Sequence, residues 1–104
     1  MGFGNMQQMM KQVQKMQRDM QRVQEELKER AVEGSAGGGA VQVTLTCGFE
    51  VKSVEIKPEA IDPSDPEFLA ELVRQAVQSA LDHVQEVTQS EMGKVTGGMR
   101  LPGM

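Results

Sequence analysis

The chain has 104 residues and a formal net charge of −4, a length that predicts one domain. Three aromatic residues against nine methionines predict a modest core that a second copy of the chain would help to stabilise. The composition excludes a membrane-spanning helix, because no run of about 18 apolar residues occurs, and it excludes an internal disulfide, because Cys47 is the only cysteine.

A helix is the first predicted element, from residue 5 to residue 30, with Asn5 suited to cap its start. Apolar residues recur at alternating spacings of 3 and 4, beginning with Met6, which is typical of a helix that packs lengthwise against another helix. We call this row the apolar seam and expect it to make dimer or packing contacts. After Met6 its members are Met9, Val13, Met16, Met20, Val23 and Leu27.

Antiparallel strands are expected within residues 31–57. The glycines of "EGSAGGGA" break the helix, and "AVQVTLTC" alternates apolar and polar residues as a half-buried strand does. Gly48 indicates a turn into "EVKSVEIK", where Val51 is out of phase with the apolar residues that follow. This predicts either a bulge or a strand that begins near Lys52. The stretch "RAVEGS" has the weaker pattern of a further short strand.

A second helix is predicted for residues 66–92, with Asp65 as its cap and Pro66 as its first residue. Its apolar stripe contains several alanines, which would let the helix lie close to a sheet. Residues 93–104 are expected to form a flexible tail. The order of elements predicts a single α+β domain over residues 1–104, with the helices on one side of a small antiparallel sheet.

Catalytic and metal-binding constellations are lacking in the sequence. His83, the only histidine, falls on the polar side of the second helix, and Cys47 falls in a strand, so neither is expected to form a nucleophile–base pair or a metal site. The glycine-rich stretch follows a helix and precedes a strand, whereas a phosphate-binding loop has the reverse order. We therefore expect no enzyme activity, no cofactor, no metal and no small-molecule substrate.

A row of basic residues follows the first helix on the side opposite the apolar seam. We call it the cationic stripe: Lys11, Lys15, Arg18 and Arg22. Residues 5–24 contain these four cations and one acid, Asp19, so they sum to +3 and the rest of the chain sums to −7. Such a surface suits a polyphosphate backbone, with Gln14 and Gln21 as candidates for base or phosphate contacts. A merely solvated helix face and a helical oligomerisation module remain as alternatives.

Four segments together resemble the YbaB/EbfC family of bacterial nucleoid-associated proteins. They are "MQQMMKQVQKMQRDMQRVQEEL", "VEGSAGGGAVQVTLTCG", "VKSVEIKPEAI" and "TGGMRLPGM". The resemblance covers nearly the whole chain and implies a helix, three antiparallel strands and a helix in a cytoplasmic, nucleoid-associated homodimer. It also implies DNA binding that alters DNA conformation or organisation, with an influence on gene expression. The resemblance places the DNA-contacting surface on the helices that project from the dimer, and the cationic stripe falls in the matching first helix.

The sequence departs from the family pattern in two respects. Cys47 stands where the family usually has Asn, and the second helix carries Arg74 as its one cation in "PEFLAELVRQAVQSALDHVQEVTQSEM", where relatives are often richer in Lys or Arg. The expected DNA contacts therefore fall on the cationic stripe rather than on the second helix. The alternative function is a helical adaptor that binds another protein through a Met-rich surface.

Overall fold

The computed structural model describes residues 3–95, with side chains from residue 5 onward. The elements are α1 (Phe3–Glu29), β1 (Ala31–Ala36), β2 (Val41–Thr46), β3 (Val51–Ile56), a 3₁₀ turn (Pro58–Ala60) and α2 (Pro66–Val95). The sheet is antiparallel with the order β1-β2-β3. This arrangement confirms the predicted α+β fold of helix, three-stranded antiparallel sheet and helix.

The helices differ from the prediction at their ends. α1 begins at Phe3 and stops at Glu29, and α2 continues to Val95 instead of stopping at residue 92. Residues 93–95 are therefore helical and not part of a tail, while residues 96–104 of the predicted tail lie outside the described part of the chain. The predicted cap of α2 is confirmed, because the backbone N–H of Phe68 donates to Oδ1 of Asp65 at 3.2 Å.

The turn between β1 and β2 and the irregularity in β3 both follow from the sequence. Gly37, Gly38 and Gly39 connect β1 to β2 with φ angles of 64°, 65° and 91°, in the left-handed region where glycine avoids a steric cost. The predicted bulge is also present: Leu45 lies opposite Val51 while Thr44 lies opposite residue 53, so one additional residue is accommodated in β3.

The core lies between α2 and the first two strands. Alternate residues of β1 and β2 face α2, which contributes small residues at the closest approach. The buried apolar residues are Val23, Leu27, Val32, Ala36, Val41, Val43, Leu45, Cys47, Leu72, Ala76, Ala80 and Val84. The alanines allow α2 to lie directly on the sheet, as the sequence predicted.

The apolar side of β3 is left uncovered by α2. Val54 lies opposite the buried Val43, and Ile56 lies opposite the buried Val41, so these pairs share one side of the sheet. Nevertheless Val51, Val54 and Ile56 are 60%, 49% and 36% exposed. We refer to these three residues as the β3 apolar face.

Candidate nucleic-acid interface

Only the last two turns of α1 are anchored in the body of the protein. Along the apolar seam, exposure falls from 65% at Met9 and 53% at Val13 to 6% at both Val23 and Leu27, with Met16 and Met20 half-buried. The first half of α1 therefore projects from the body as a free helix. Val23 and Leu27 pack within their own chain, whereas contact of Met9 and Val13 with a second copy remains a prediction.

The dimensions of the chain agree with this projection. α1 is about 40 Å long and α2 about 45 Å, at about 1.5 Å per residue, and the longest extent of the chain is 76 Å. The two helices therefore lie beside each other only near the C-terminal end of α1 and the C-terminal end of α2. There Nη1 of Arg30 donates to Oε1 of Glu91 at 3.0 Å, and Nζ of Lys94 donates to the same oxygen at 3.1 Å. Lys94 and then Arg30 lower the pKa of the Glu91 carboxyl from its usual value.

Lys11 and Lys15 of the cationic stripe lie on this projecting part of α1, and Arg18 and Arg22 continue the stripe towards the body. All four side chains are exposed. Lys11, Lys15 and Arg18 have no acidic partner within 4 Å among residues 3–95. The Arg22 guanidinium makes two long ion pairs, from Nη2 to Oδ1 of Asp19 at 4.0 Å and from Nε to Oε1 of Glu26 at 3.8 Å. From Lys11 to Arg22 the stripe is about 17 Å long, which matches about five base-pair steps of duplex DNA at about 3.4 Å each.

In contrast to the cationic stripe, several basic side chains of the body form ion pairs with glutamates. Arg74 pairs with Glu71 at 2.5 Å, Lys52 pairs with Glu50 at 3.3 Å, and Arg30 and Lys94 share Glu91. The Glu71 carboxylate raises the pKa of Arg74, and Arg74 lowers that of Glu71. Among residues 3–95, the cations without an acidic partner within 4 Å are Lys11, Lys15, Arg18 and Lys28 on α1 and Lys57 after β3. The positive charge that is available to an external anion is therefore concentrated on α1.

The glutamines of α1 divide between two sides of the helix. At 100° per residue, Gln14 and Gln21 lie at the margin of the stripe, towards the apolar side, and Gln14 borders exposed methionines. Gln8 precedes Lys11 by three residues and continues the stripe's alternating spacing. That regular spacing is the sequence signal that places Gln8 on the stripe in addition to the four cations.

A second exposed surface occupies the opposite side of the same helix segment. Met6, Met9, Met10 and Val13, together with Gln14, line a shallow depression of about 390 Å³. Met6 and Met10 are 64% and 60% exposed. We call these five residues the Met patch. It is the surface that the adaptor alternative would require.

The two residues considered for chemistry lie apart from each other in the structure. His83 is exposed, and its Nδ1 donates to the backbone carbonyl oxygen of Glu33 instead of being free in solvent. Cys47 is buried beside the sheet. Within residues 3–95 no group of three or more His, Cys, Asp or Glu side chains converges on a point that could hold a metal ion.

The fold and this surface define a small α+β protein whose first helix presents four exposed cations, three of them without an acidic partner among residues 3–95. This arrangement is suited to contact with a nucleic-acid backbone. The chain belongs to the YbaB/EbfC DNA-binding family, which it matches over residues 1–99. This finding confirms the resemblance seen in the sequence. In the described part of the chain, no helix is long and apolar enough to cross a membrane.

Comparison with individual proteins finds relatives that are named nucleoid-associated proteins and a solved structure with the same fold. The chain is 60% identical over 103 residues to a nucleoid-associated protein of Staphylococcus epidermidis, covering 99% of this chain and 98% of that one. It is 54% identical over 101 residues to a nucleoid-associated protein of Pelotomaculum thermopropionicum, covering 97% and 96%. The crystal structure of the uncharacterized protein HP0035 from Helicobacter pylori shares the fold with a TM-score of 0.64, at 19% identity, covering 86% of this chain and 91% of that one.

Proposed function

We propose that this protein is nucleoid-associated and that it binds duplex DNA as a homodimer, mainly through the phosphate backbone. The observation that carries the proposal is the contrast in pairing of cations within residues 3–95. Lys11, Lys15 and Arg18 have no acidic partner within 4 Å on a projecting helix, while the described cations of the body, Arg30, Lys52, Arg74 and Lys94, are paired, with Lys57 as the exception. Unpaired cations release DNA counterions when they meet phosphates. The family and the names of the relatives support DNA as the partner.

A homodimer is supported by the β3 apolar face. β3 is an edge strand, and an exposed edge with apolar side chains is a surface that proteins usually cover. Val51, Val54 and Ile56 continue the apolar side of the sheet beyond α2, so a second copy placed there would extend the existing core. Two copies would present two cationic stripes, and bridging or bending of DNA between them would alter its organisation and thereby influence gene expression.

The salt dependence of binding follows from the stripe. Each phosphate neutralised on duplex DNA contributes about −0.9 to the slope of log K against log salt. Four contacts in each of two chains would give a slope of roughly −7, and because helix and DNA curve away from each other we expect roughly −3 to −6. Binding should depend little on DNA sequence, since phosphate contacts carry no base information. Gln14 and Gln21 are proposed to contact bases or phosphates at the margin of the stripe.

The test is a mobility-shift titration on unrelated duplexes at several salt concentrations. In the double variant Lys15→Gln/Arg18→Gln, affinity should fall alike on every duplex, and the slope should become shallower by roughly 2 to 3. The matched control is Lys57→Gln/Arg74→Gln, which removes the same charge from the end of the sheet away from α1. If the control weakens binding as much as the stripe variant does, the stripe is only a solvated helix face.

The same titration separates DNA binding from the adaptor alternative, which the exposed Met patch favours. A contact made through methionines changes little between low and high salt, whereas phosphate contacts weaken steeply. A native chain that binds no duplex even at low salt would contradict the proposal for DNA and leave the Met patch as the principal exposed surface for a partner.

A further inference from the structure

The Met patch is an apolar surface without a partner in the described part of the chain. Its five lining residues all belong to α1, and the apolar ones are between 53% and 65% exposed. A helix of this length that projects without packing is only marginally stable in water. Something that covers the patch would stabilise the projecting part of α1.

The described chain ends close to the base of that projecting helix. Glu91 of α2 contacts Arg30 at the end of α1, and Val95 packs against the core cluster that includes Val23 and Leu27. α2 crosses the sheet from Leu72, beside Gly37, to His83, beside Glu33. It therefore leaves the sheet at the end where α1 enters, antiparallel to α1, and it points along α1 towards the Met patch.

We propose that the nine residues after Val95, Thr96 to Met104, dock on the Met patch of their own chain. Val95 lies one turn beyond Glu91 and is therefore about level with Glu26, from which Val13 is about 20 Å away along α1. Nine extended residues span about 30 Å, so the segment reaches the patch. A helical continuation of nine residues would span only about 14 Å, and Gly97, Gly98 and Pro102 disfavour it.

The chemistry of the segment matches the patch. Its large side chains are Met99, Leu101 and Met104, and Arg100 is its only charged side chain. Along an extended chain, Leu101 lies about 20 Å and Met104 about 30 Å beyond Val95. These distances correspond to the levels of Val13 and Met6 on α1, so both apolar side chains reach the patch. Within the described residues, no charged side chain lines the depression.

A cysteine pair tests the proposal directly. In a Cys47→Ala background, Leu101→Cys is combined either with Val13→Cys, in the patch, or with Lys15→Cys, which is exposed on the opposite side of the helix and no farther from Val95 along α1. Under mild oxidation the pair with Val13→Cys should form a disulfide within one chain at least about tenfold faster than the control pair, since proximity raises effective concentration. Mass spectrometry of peptides from the non-reduced monomer identifies the bond. Equal rates, or a bond that forms mainly between chains, would overturn the proposal.

Hydrogen exchange in otherwise native chains gives a second readout. Replacing Leu101 and Met104 with Ser should speed amide exchange across residues 6–14 severalfold, while Arg100→Gln should leave it unchanged. Unchanged exchange in the Ser variant would overturn the proposal. Neither readout involves DNA, so its failure would say nothing against the proposed DNA binding.

Discussion

Gly34 of β1 and Ala80 of α2 are in direct backbone contact. A Cβ at Gly34 would lie 2.2 Å from the backbone nitrogen of Ala80 and 2.4 Å from the carbonyl oxygen of Ala76. Glycine normally weakens the interior of a strand, and a close approach by another backbone is one reason for its presence there. This contact holds α2 over β1 and β2, and as a result β3 remains uncovered.

Gly34→Ala should be strongly destabilising, because its methyl group would meet the backbone of α2, which cannot move aside as a flexible side chain does. We expect a loss of at least about 2 kcal/mol in the free energy of unfolding and a melting temperature lower by roughly 10 °C. Gly93→Ala is the matched control, since a Cβ there has no atom within 4 Å and alanine favours the helix. Equal melting temperatures for the two variants would contradict the close approach.

The sheet was largely predictable from the sequence because its signals are local. Alternation identifies Val41, Val43 and Leu45 as the inward side of β2, the glycines identify the first turn, and the phase of Val51 predicts the bulge. The exposure of the β3 apolar face was not predictable in this way. Val54 has the same pattern as its buried neighbour Val43, and only the placement of α2 distinguishes them.

The projection of α1 from the body could not be predicted from the sequence for a related reason. The apolar seam repeats with the same spacing from Met6 to Leu27, although exposure along it changes from 64% to 6%. Nothing local in the repeat indicates where contact with the body ends, because that depends on the length and direction of α2. The C-terminal end of α1 also has no Gly or Pro to indicate it, because the single residue Arg30 connects α1 to β1.

Val54→Asp should separate the proposed dimer while leaving the chain folded. Val54 is 49% exposed in the single chain, so a carboxylate there remains hydrated, whereas in an interface it would be a buried unpaired charge that costs several kcal/mol. Sedimentation at micromolar concentration should change from dimer to monomer, with an unchanged circular dichroism spectrum. Ser53→Asp introduces the same charge on the other side of β3 and should leave the dimer intact. A native chain that sediments as a monomer would refute the dimer itself.

Cys47 should behave as a buried structural residue. It is 8% exposed within the core cluster, so a thiol reagent should modify it slowly in the native protein and many-fold faster in denaturant. Cys47→Ala should retain DNA affinity at a modest cost in stability. A fast-reacting native thiol, or lost DNA binding in the alanine variant, would instead indicate a redox role for this residue.

The junction between α1 and α2 should loosen in acid. The pKa of Glu91 is lowered from 4.5 by Lys94 and then Arg30, so the ionised form is favoured by folding. Its contribution is therefore complete above pH 4.5 and is lost as the pH falls through the lowered pKa. The protection of amides in residues 23–29, measured relative to their intrinsic exchange rates at each pH, should fall in that range for the native chain, and Glu91→Gln should show the lower protection already at neutral pH. Glu71→Gln, at the far end of α2, is the control and should not affect this segment.

Asp19→Asn should strengthen DNA binding, because Asp19 is the only acid within residues 5–24 and lies 4.0 Å from Arg22. The change removes a negative charge beside the cationic stripe and releases Arg22 from one of its two acidic neighbours. Exposed ion pairs contribute about 0.3 to 1 kcal/mol, so we expect affinity to rise about two- to fivefold per chain at low salt. The gain should shrink as salt screens the stripe.

Glu59→Gln provides the control for Asp19→Asn, because it changes the net charge equally on the exposed 3₁₀ turn after the sheet. If binding responded only to total charge, the two variants would gain affinity alike, and the stripe would have no special role. A gain confined to Asp19→Asn, measured by mobility shift on unrelated duplexes, would locate the phosphate contacts on α1. No gain in either variant would show that Arg22 and its surroundings do not meet the DNA, leaving Lys11, Lys15 and Arg18 to carry the contacts.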